Sequence, residues 1–301
     1  MRFAITGGTG FVGRALQRKL EADGHTVRAL SRRSGVDVGD VDALAAALED
    51  CDGVAHCAGI NRELHDQRYE QVHVQGTRNV VAAARRAGVP KLVLMSFLRA
   101  RPSCGAPYHE SKWAAEQLVR ASGLDYTVIK AGVVFGKGDH MLDHLSHALH
   151  TFPLFALVGM RDQRMRPTAV DDVADVLSAA LTDRRLSRRT VPVTGPREMS
   201  LKEAVSLVGE AIGKRPLFFH LPVRVHHTLA WAFERVMRVP LISIAQVRVL
   251  SESLVEPAGA CDELPADLVP RTPFDADSIA RGLPVPGRFG VRDLELSACS
   301  R

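Results

Sequence analysis

The stretch Arg2-Phe3-Ala4-Ile5-Thr6-Gly7-Gly8-Thr9-Gly10-Phe11-Val12-Gly13 constrains this chain more than any other. Phe3 to Ile5 is an apolar run that reads as a buried strand. It breaks at Thr6-Gly7-Gly8, and a helical pattern begins near Phe11. A pyrophosphate group needs this succession. The turn brings backbone N–H groups close to the phosphates, and the helix N-terminus offers unpaired donors and a positive dipole end. Gly7 suits the tight turn, Gly10 lets phosphates approach the backbone, and Gly13 lets helix and strand pack closely. Thr9, Phe11 and Val12 complete the loop.

The elements that follow alternate. Arg14 to Ala22 reads as a helix ended by Gly24, and His25 to Leu30 as a second strand. A helix over Val41–Glu49, a strand over Gly53–Cys57 and a helix over Tyr69–Arg86 come next. Lys91–Met95 is a fourth strand, Pro107–Ala121 a helix and Tyr126–Ile129 a fifth strand. This order with short links predicts an α/β fold, a Rossmann-type doubly wound parallel sheet, with ligands at the carboxyl ends of its strands.

Beyond Gly138 helices dominate, over 140–150, 171–182, 200–212, 223–237 and 241–254, with a short strand at Val191–Thr194 among them. The expected division is residues 1–138 as a dinucleotide-binding domain and 139–301 as a smaller, mainly helical substrate domain. Its tail from Glu256, rich in proline and glycine, is expected to wrap the surface.

With 301 residues, 46% of them hydrophobic, the chain can bury a substantial core. No apolar run is long enough to span a bilayer. The five cysteines, at 51, 57, 104, 261 and 299, form no CxxC pair and no metal-ligand spacing. They suggest reduced thiols in a cytoplasmic protein without a signal peptide. The net charge of +5 is dispersed, which argues against nucleic acid and fits an anionic cofactor or a membrane surface.

Ser31-Arg32-Arg33 closes the second strand, where such a fold reads the adenosine ribose. An acid there would accept from a free 2′-hydroxyl, whereas guanidinium groups suit a 2′-phosphate. NADP(H) is therefore favoured, with NAD(H) as the alternative. Tyr108-His109-Glu110-Ser111-Lys112 opens the helix after strand four. Its tyrosine and lysine share one helical face, so an ammonium beside a phenol can favour the phenolate and exchange a proton with a carbonyl or alcohol.

These motifs together resemble the short-chain dehydrogenase/reductase superfamily, in its extended or atypical branch of NAD-dependent epimerases and dehydratases. TGGTGFVG, Asp37-Val38, Ala58-Gly59, Gly76-Thr77-Arg78-Asn79-Val80 and YHESK match in order, and Pro167 to Ala174 resembles a second-domain signature of that branch. The resemblance implies that Asp37 and Val38 hold the adenine, that Ala58 and Gly59 line the cofactor, and that Tyr108 and Lys112 carry catalysis. It also implies a strand-four hydroxyl that polarises the substrate oxygen. Ser96 is the candidate, the alternative being a strand-end serine satisfied locally while the usual position falls on Leu98. Lys130-Ala131-Gly132 stands where Arg-Pro-Gly is usual, and its backbone is expected to hold the nicotinamide.

The expected activity is NADP(H)-dependent interconversion of a carbonyl and an alcohol on a small apolar substrate. One rival is a nucleotide-sugar epimerase or dehydratase with tightly kept NAD, against which Arg32-Arg33 and the short segment between Ser96 and Tyr108 argue. A second is a non-catalytic NADPH holder, similar to the accessory subunit of respiratory complex I.

His140, His144 and His147 share a helical face, with His150 at its edge. They can line a polar cleft or face solvent, and no metal is expected because the superfamily's chemistry needs none. The apolar and basic stretch Leu217–Leu250 is either core with solvated arginines (Arg224, Arg235, Arg238) or a mouth or membrane-facing surface.

If the Arg32-Arg33 reading is right, titration calorimetry will show tighter binding of NADPH than NADH. Arg32→Ala with Arg33→Ala will then erase most of the difference, and equal affinities in the unmodified protein would refute it.

Overall fold

The computed structural model describes residues 1–63, 67–237, 240–285 and 287–289. Arg238 and Cys299 lie outside the described residues. The chain divides into two units.

The first unit begins with β1 (Arg2–Thr6), α1 (Phe11–Ala22), β2 (Thr26–Leu30), α2 (Val41–Leu48) and β3 (Gly53–His56). A π-helical turn, Glu70–Gln75, feeds α3 (Gly76–Arg86). Then come β4 (Lys91–Phe97), α4 (Pro107–Arg120) and β5 (Asp125–Ala131). Phe3, Ala4, Ile5, Val54, Leu92 and Ile129 are fully buried. Such strands are covered on both faces, which is why they read as continuous apolar runs rather than alternating ones.

The sheet has six strands, in the order Arg189–Val193, β5, β4, β3, β1, β2, all pairs parallel. The order reverses beside β1, so the carboxyl ends of β1, β3 and β4 open onto a common crevice.

Two expectations change here. The short strand placed among the C-terminal helices is the sixth strand of this sheet, with Val191 in register with Ile129 of β5. The helix before it, Val170–Thr182, packs on α1, where Lys19 pairs with Asp175 at 3.4 Å. The first unit is therefore Met1–Gly132 with Thr168–Thr194 and Glu256–Arg271, not residues 1–138. The physical reason is the open edge of β5, which presents unpaired backbone groups until a later strand covers it. The stretch from Glu256 is part of this closure, since the Ala258 N–H donates to Leu98 O and the Asp262 N–H to Thr190 O.

The second unit comprises Val133–Pro167, Gly195–Val255 and the chain from Thr272. Its helices are His140–Thr151, Leu201–Ala211, Val223–Val236, Ile244–Leu250 and Ala276–Gly282, and Leu154–Val158 pairs in parallel with Leu217–Leu221. The helix expected over 241–254 is shorter because Ser243 caps it, in a reciprocal capping box with Gln246.

A fragment ending at residue 138 lacks the sixth strand and the helix that covers α1. It should give no cooperative thermal transition by circular dichroism under conditions where the full chain does. A cooperative, soluble fragment would contradict this assignment.

Candidate functional site

The glycine loop takes the expected form. Gly7 has φ +71°, and a Cβ there would lie 2.7 Å from Ala58 Cα. A Cβ on Gly13 would lie 2.3 Å from Gly7 O. The missing side chains let the loop close against both the end of β3 and the start of α1. Gly10 caps α1 without a side-chain bond, and the first turn carries no acid. These N–H donors and the dipole end fit a pyrophosphate. Thr9, Phe11 and Val12 are half-buried around the loop.

At the end of β2, Ser31 and Ser34 form a reciprocal cap on a short turn. Arg33 is exposed, and the Arg32 guanidinium lies 4.0 Å from Asp37, also near the surface. The Asp37 carboxylate accepts the Gly39 N–H, so it shapes its own loop as well. Val38 is fixed from behind, its carbonyl accepting from Asn79 Nδ2 at 2.9 Å.

Three residues of α4 at i, i+4 and i+8 form its working face: Tyr108, Lys112 and Glu116. The Tyr108 ring meets Phe97 at 5.2 Å, Tyr69 at 5.6 Å and His73 at 5.7 Å between centroids. Lys112 Nζ donates to Met95 O at 3.3 Å. A Cβ on Gly59 would lie 3.1 Å from that Nζ, so the loop after β3 comes close to the lysine at this glycine. The spacing of Tyr108 and Lys112 and the Ala58-Gly59 motif thus meet at one place.

The electrostatics differ from the expectation. Burial pushes the Tyr108 phenol up, rather than the neighbouring ammonium bringing it down. Burial also lowers Lys112 to about 8, opposed by the charges of Cys57 and Glu116. The Cys57 thiol is pushed up to about 12 by the same loss of solvent. Desolvation disfavours every charged form here, so Tyr108 stays protonated at neutral pH.

Ser96 is not placed as a catalytic hydroxyl. Its Oγ donates to Glu116 Oε1 at 2.6 Å in a buried cluster. That carboxylate also faces Lys130 at 3.5 Å and Arg120 at 3.0 Å. The Lys130 ammonium donates to Ala100 O and Ala258 O, so its side chain is structural. Ala131 is buried, and its carbonyl accepts the Leu98 N–H. The pleat of β4 turns Ser96 to Glu116, and Phe97 is the β4 side chain against Tyr108. Leu98 is fully buried.

Sequence reading missed a buried polar chain behind the site. Thr77 donates to His73 O, so its Oγ1 accepts from His56 Nε2 at 3.0 Å, and His56 Nδ1 in turn accepts from Thr6 at 2.6 Å. The Ile60 N–H donates to His73 Nε2 at 3.0 Å, which leaves the proton on Nδ1, directed at Ser111 Oγ. Ser111 donates to Tyr108 O. These tautomers follow from the single donor each neighbour has left. One signal was present in the sequence: His73 lies three residues before the Gly76-Thr77 motif.

His140 is exposed, and the other three histidines of this helix bind backbone instead of converging. His144 Nε2 donates to Leu241 O, His147 Nδ1 to Asp143 O and His150 Nδ1 to Ser146 O. Among the described residues no group of three or more His, Cys, Asp or Glu side chains could hold a metal ion. No described helix is long and apolar enough to cross a membrane.

This site and sheet match a known family. Residues 3–192 match the NAD dependent epimerase/dehydratase family, and the chain belongs to it. A Mycobacterium tuberculosis protein is 24% identical over 82% of this chain, but the chain spans only 27% of that relative's length. The Photosystem II assembly factor Ycf39 of Synechocystis is 28% identical, over 75% of this chain and 72% of its own. The 40 kDa subunit of NADH-ubiquinone oxidoreductase from Neurospora crassa is 21% identical, over 73% of this chain and 58% of its own. Among solved structures, the Thermus thermophilus UDP-glucose 4-epimerase complex with NAD shares the fold. Its TM-score is 0.61 and its identity 24%, over 74% of this chain and 86% of that one.

The buried histidines make stability pH-dependent. His56 is lowered to about 3, first by burial and then by the charge of Lys112, against 6.5 for an exposed imidazole. The folded state therefore binds fewer protons than the unfolded state. The stability His56 contributes is complete above pH 6.5 and is lost as pH falls toward 3, by about 1.4 kcal/mol per pH unit. Denaturant unfolding between pH 4.5 and 7.5 should show His56→Asn with a shallower acid slope than the unmodified protein. Identical slopes would mean that His56 titrates normally.

Proposed function

We propose that this chain binds NADP(H) and reduces a carbonyl group on a small apolar substrate, with Tyr108 as the proton donor. The reading is carried by Tyr108 and Lys112 one turn apart on α4, with the Lys112 Nζ against the loop at Gly59 and burial keeping the phenol protonated. A phenol held protonated by its surroundings is suited to give a proton to a developing alkoxide, which is the reductive direction. When bound, the dinucleotide supplies the hydride. Gly10 would let its pyrophosphate approach the backbone while Gly7 and Gly13 close the loop beneath it, and Arg32 and Arg33 would be the groups for a 2′-phosphate. Lys112, which donates to Met95 O, would instead donate to the ribose. The aromatic rings around Tyr108 suit an apolar substrate.

A second reading is favoured by one specific observation. Ser96 is committed to Glu116, and Phe97 occupies the strand-four position against Tyr108, so that strand offers the substrate oxygen no hydroxyl. A chain that holds NADPH as a structural part would tolerate this loss, and two relatives are named as an assembly factor and a complex subunit. The epimerase reading draws on the family match and on the likeness to the Thermus thermophilus enzyme, and the short segment between Ser96 and Tyr108 argues against it.

The test is NADPH oxidation with a panel of apolar ketones and quinones, alongside NADPH binding by fluorescence. With an accepted substrate, Tyr108→Phe should lower turnover by roughly 10²–10⁴ and leave NADPH affinity nearly unchanged. Ser96→Ala should keep turnover within a few-fold, provided the protein is folded. Full activity in Tyr108→Phe would refute the mechanism. NADPH binding without turnover across the panel would favour the holder.

A further inference from the structure

The helix Val223–Val236 in the second unit carries two apolar faces. One buries Ala230 among Val158 and Val247. The other is Val225, Leu229, Ala232 and Val236, at i, i+4, i+7 and i+11, which a period of 3.6 places in one stripe. Val225, Leu229 and Val236 of this stripe are exposed, the least of them Leu229 at 37%. An ordinary surface helix shows solvent its polar face.

Arg224, Trp231 and Arg235 run alongside the stripe as a second row. The Arg235 guanidinium lies 3.7 Å from the Trp231 ring centroid, and Trp231 is itself exposed. The helix's one acid, Glu234, points the other way and accepts the Ile244 N–H. From residue 214 to 237 the charged residues are Lys214, Arg215, Arg224 and Arg235 against Glu234 alone. The strand pair leading into this helix repeats the pattern. Leu154 and Leu217 are register partners, so Leu154, Leu217 and Phe219 project from one face, and all three are exposed.

We propose that the second unit rests on an anionic lipid surface through the 225–236 stripe. An apolar stripe bordered by arginine and tryptophan is the arrangement of an interfacial helix. The aliphatic side chains enter the acyl boundary, the indole sits at headgroup depth, and the guanidinium groups meet phosphates. The almost wholly basic flank selects anionic headgroups over zwitterionic ones. No described helix is long and apolar enough to cross a membrane.

The experiment is co-sedimentation of the full chain with vesicles of phosphatidylglycerol and phosphatidylcholine, and with phosphatidylcholine alone. Binding to the anionic vesicles should be stronger and should weaken as salt rises. Leu229→Glu with Val236→Glu should abolish it, and Arg224→Gln with Arg235→Gln should lower it by roughly tenfold to thirtyfold. Thermal unfolding and NADPH binding of each variant verify folding and keep this outcome separate from the nucleotide site. In Trp113→Phe protein the emission of Trp231 should shift to the blue on anionic vesicles. Absence of anionic-vesicle binding, or binding unchanged in the double glutamate variant, overturns the proposal. Vesicle-independent dimers dissolved by Leu229→Glu would assign the stripe to a second copy of the chain and overturn it equally.

Discussion

The buried carboxylate of Glu116 is the constraint on which the geometry of the site depends. An ionised carboxylate out of water costs several kcal/mol unless it is paired and hydrogen-bonded. Here Ser96, Arg120 and Lys130 satisfy it together. These partners tie α4 to β4 and β5 at one point. Tyr108 and Lys112 stand two turns and one turn before Glu116 on the same face of the helix, so the clamp sets how deep each of them reaches. Lys112 is thereby brought over Met95 O and against Gly59, and the Tyr108 ring against Phe97.

The second support is neutral and hydrogen-bonded. His56 and His73 lie in the interior as uncharged imidazoles, joining β1, β3 and α3 to the start of α4. His73 does two things at once, accepting from the Ile60 N–H on the loop after β3 and donating to Ser111 beneath Tyr108. A charged imidazole could not accept, so the link exists only while desolvation keeps His73 neutral. The π-helical turn that carries His73 sits at this junction, a frequent place for such a turn.

Membership of the epimerase/dehydratase family accounts for the loop, the sheet and the Tyr108–Lys112 pair. The chain's own character lies in what surrounds that pair. Strand four presents a phenylalanine to the tyrosine where a hydroxyl is expected, and the serine beside it belongs to the clamp. The Tyr108 ring is thus surrounded by the rings of Phe97, Tyr69 and His73.

Local pattern determined the glycine loop, the five strands and their helices, and the one-turn spacing of Tyr108 and Lys112. Each of these depends on residues within a few positions of one another, and apolar periodicity, glycine placement and helical spacing record such neighbours directly. Tertiary structure alone decided the rest. Ser96 and Phe97 are adjacent, and which of them meets Tyr108 depends on how the pleat meets α4. The pKa of Tyr108 followed desolvation rather than its neighbour's charge, because burial is a property of the packed site. Residues 168–194 return to the sheet because the open edge of β5 needs a partner, and that need arises only once the first five strands have assembled.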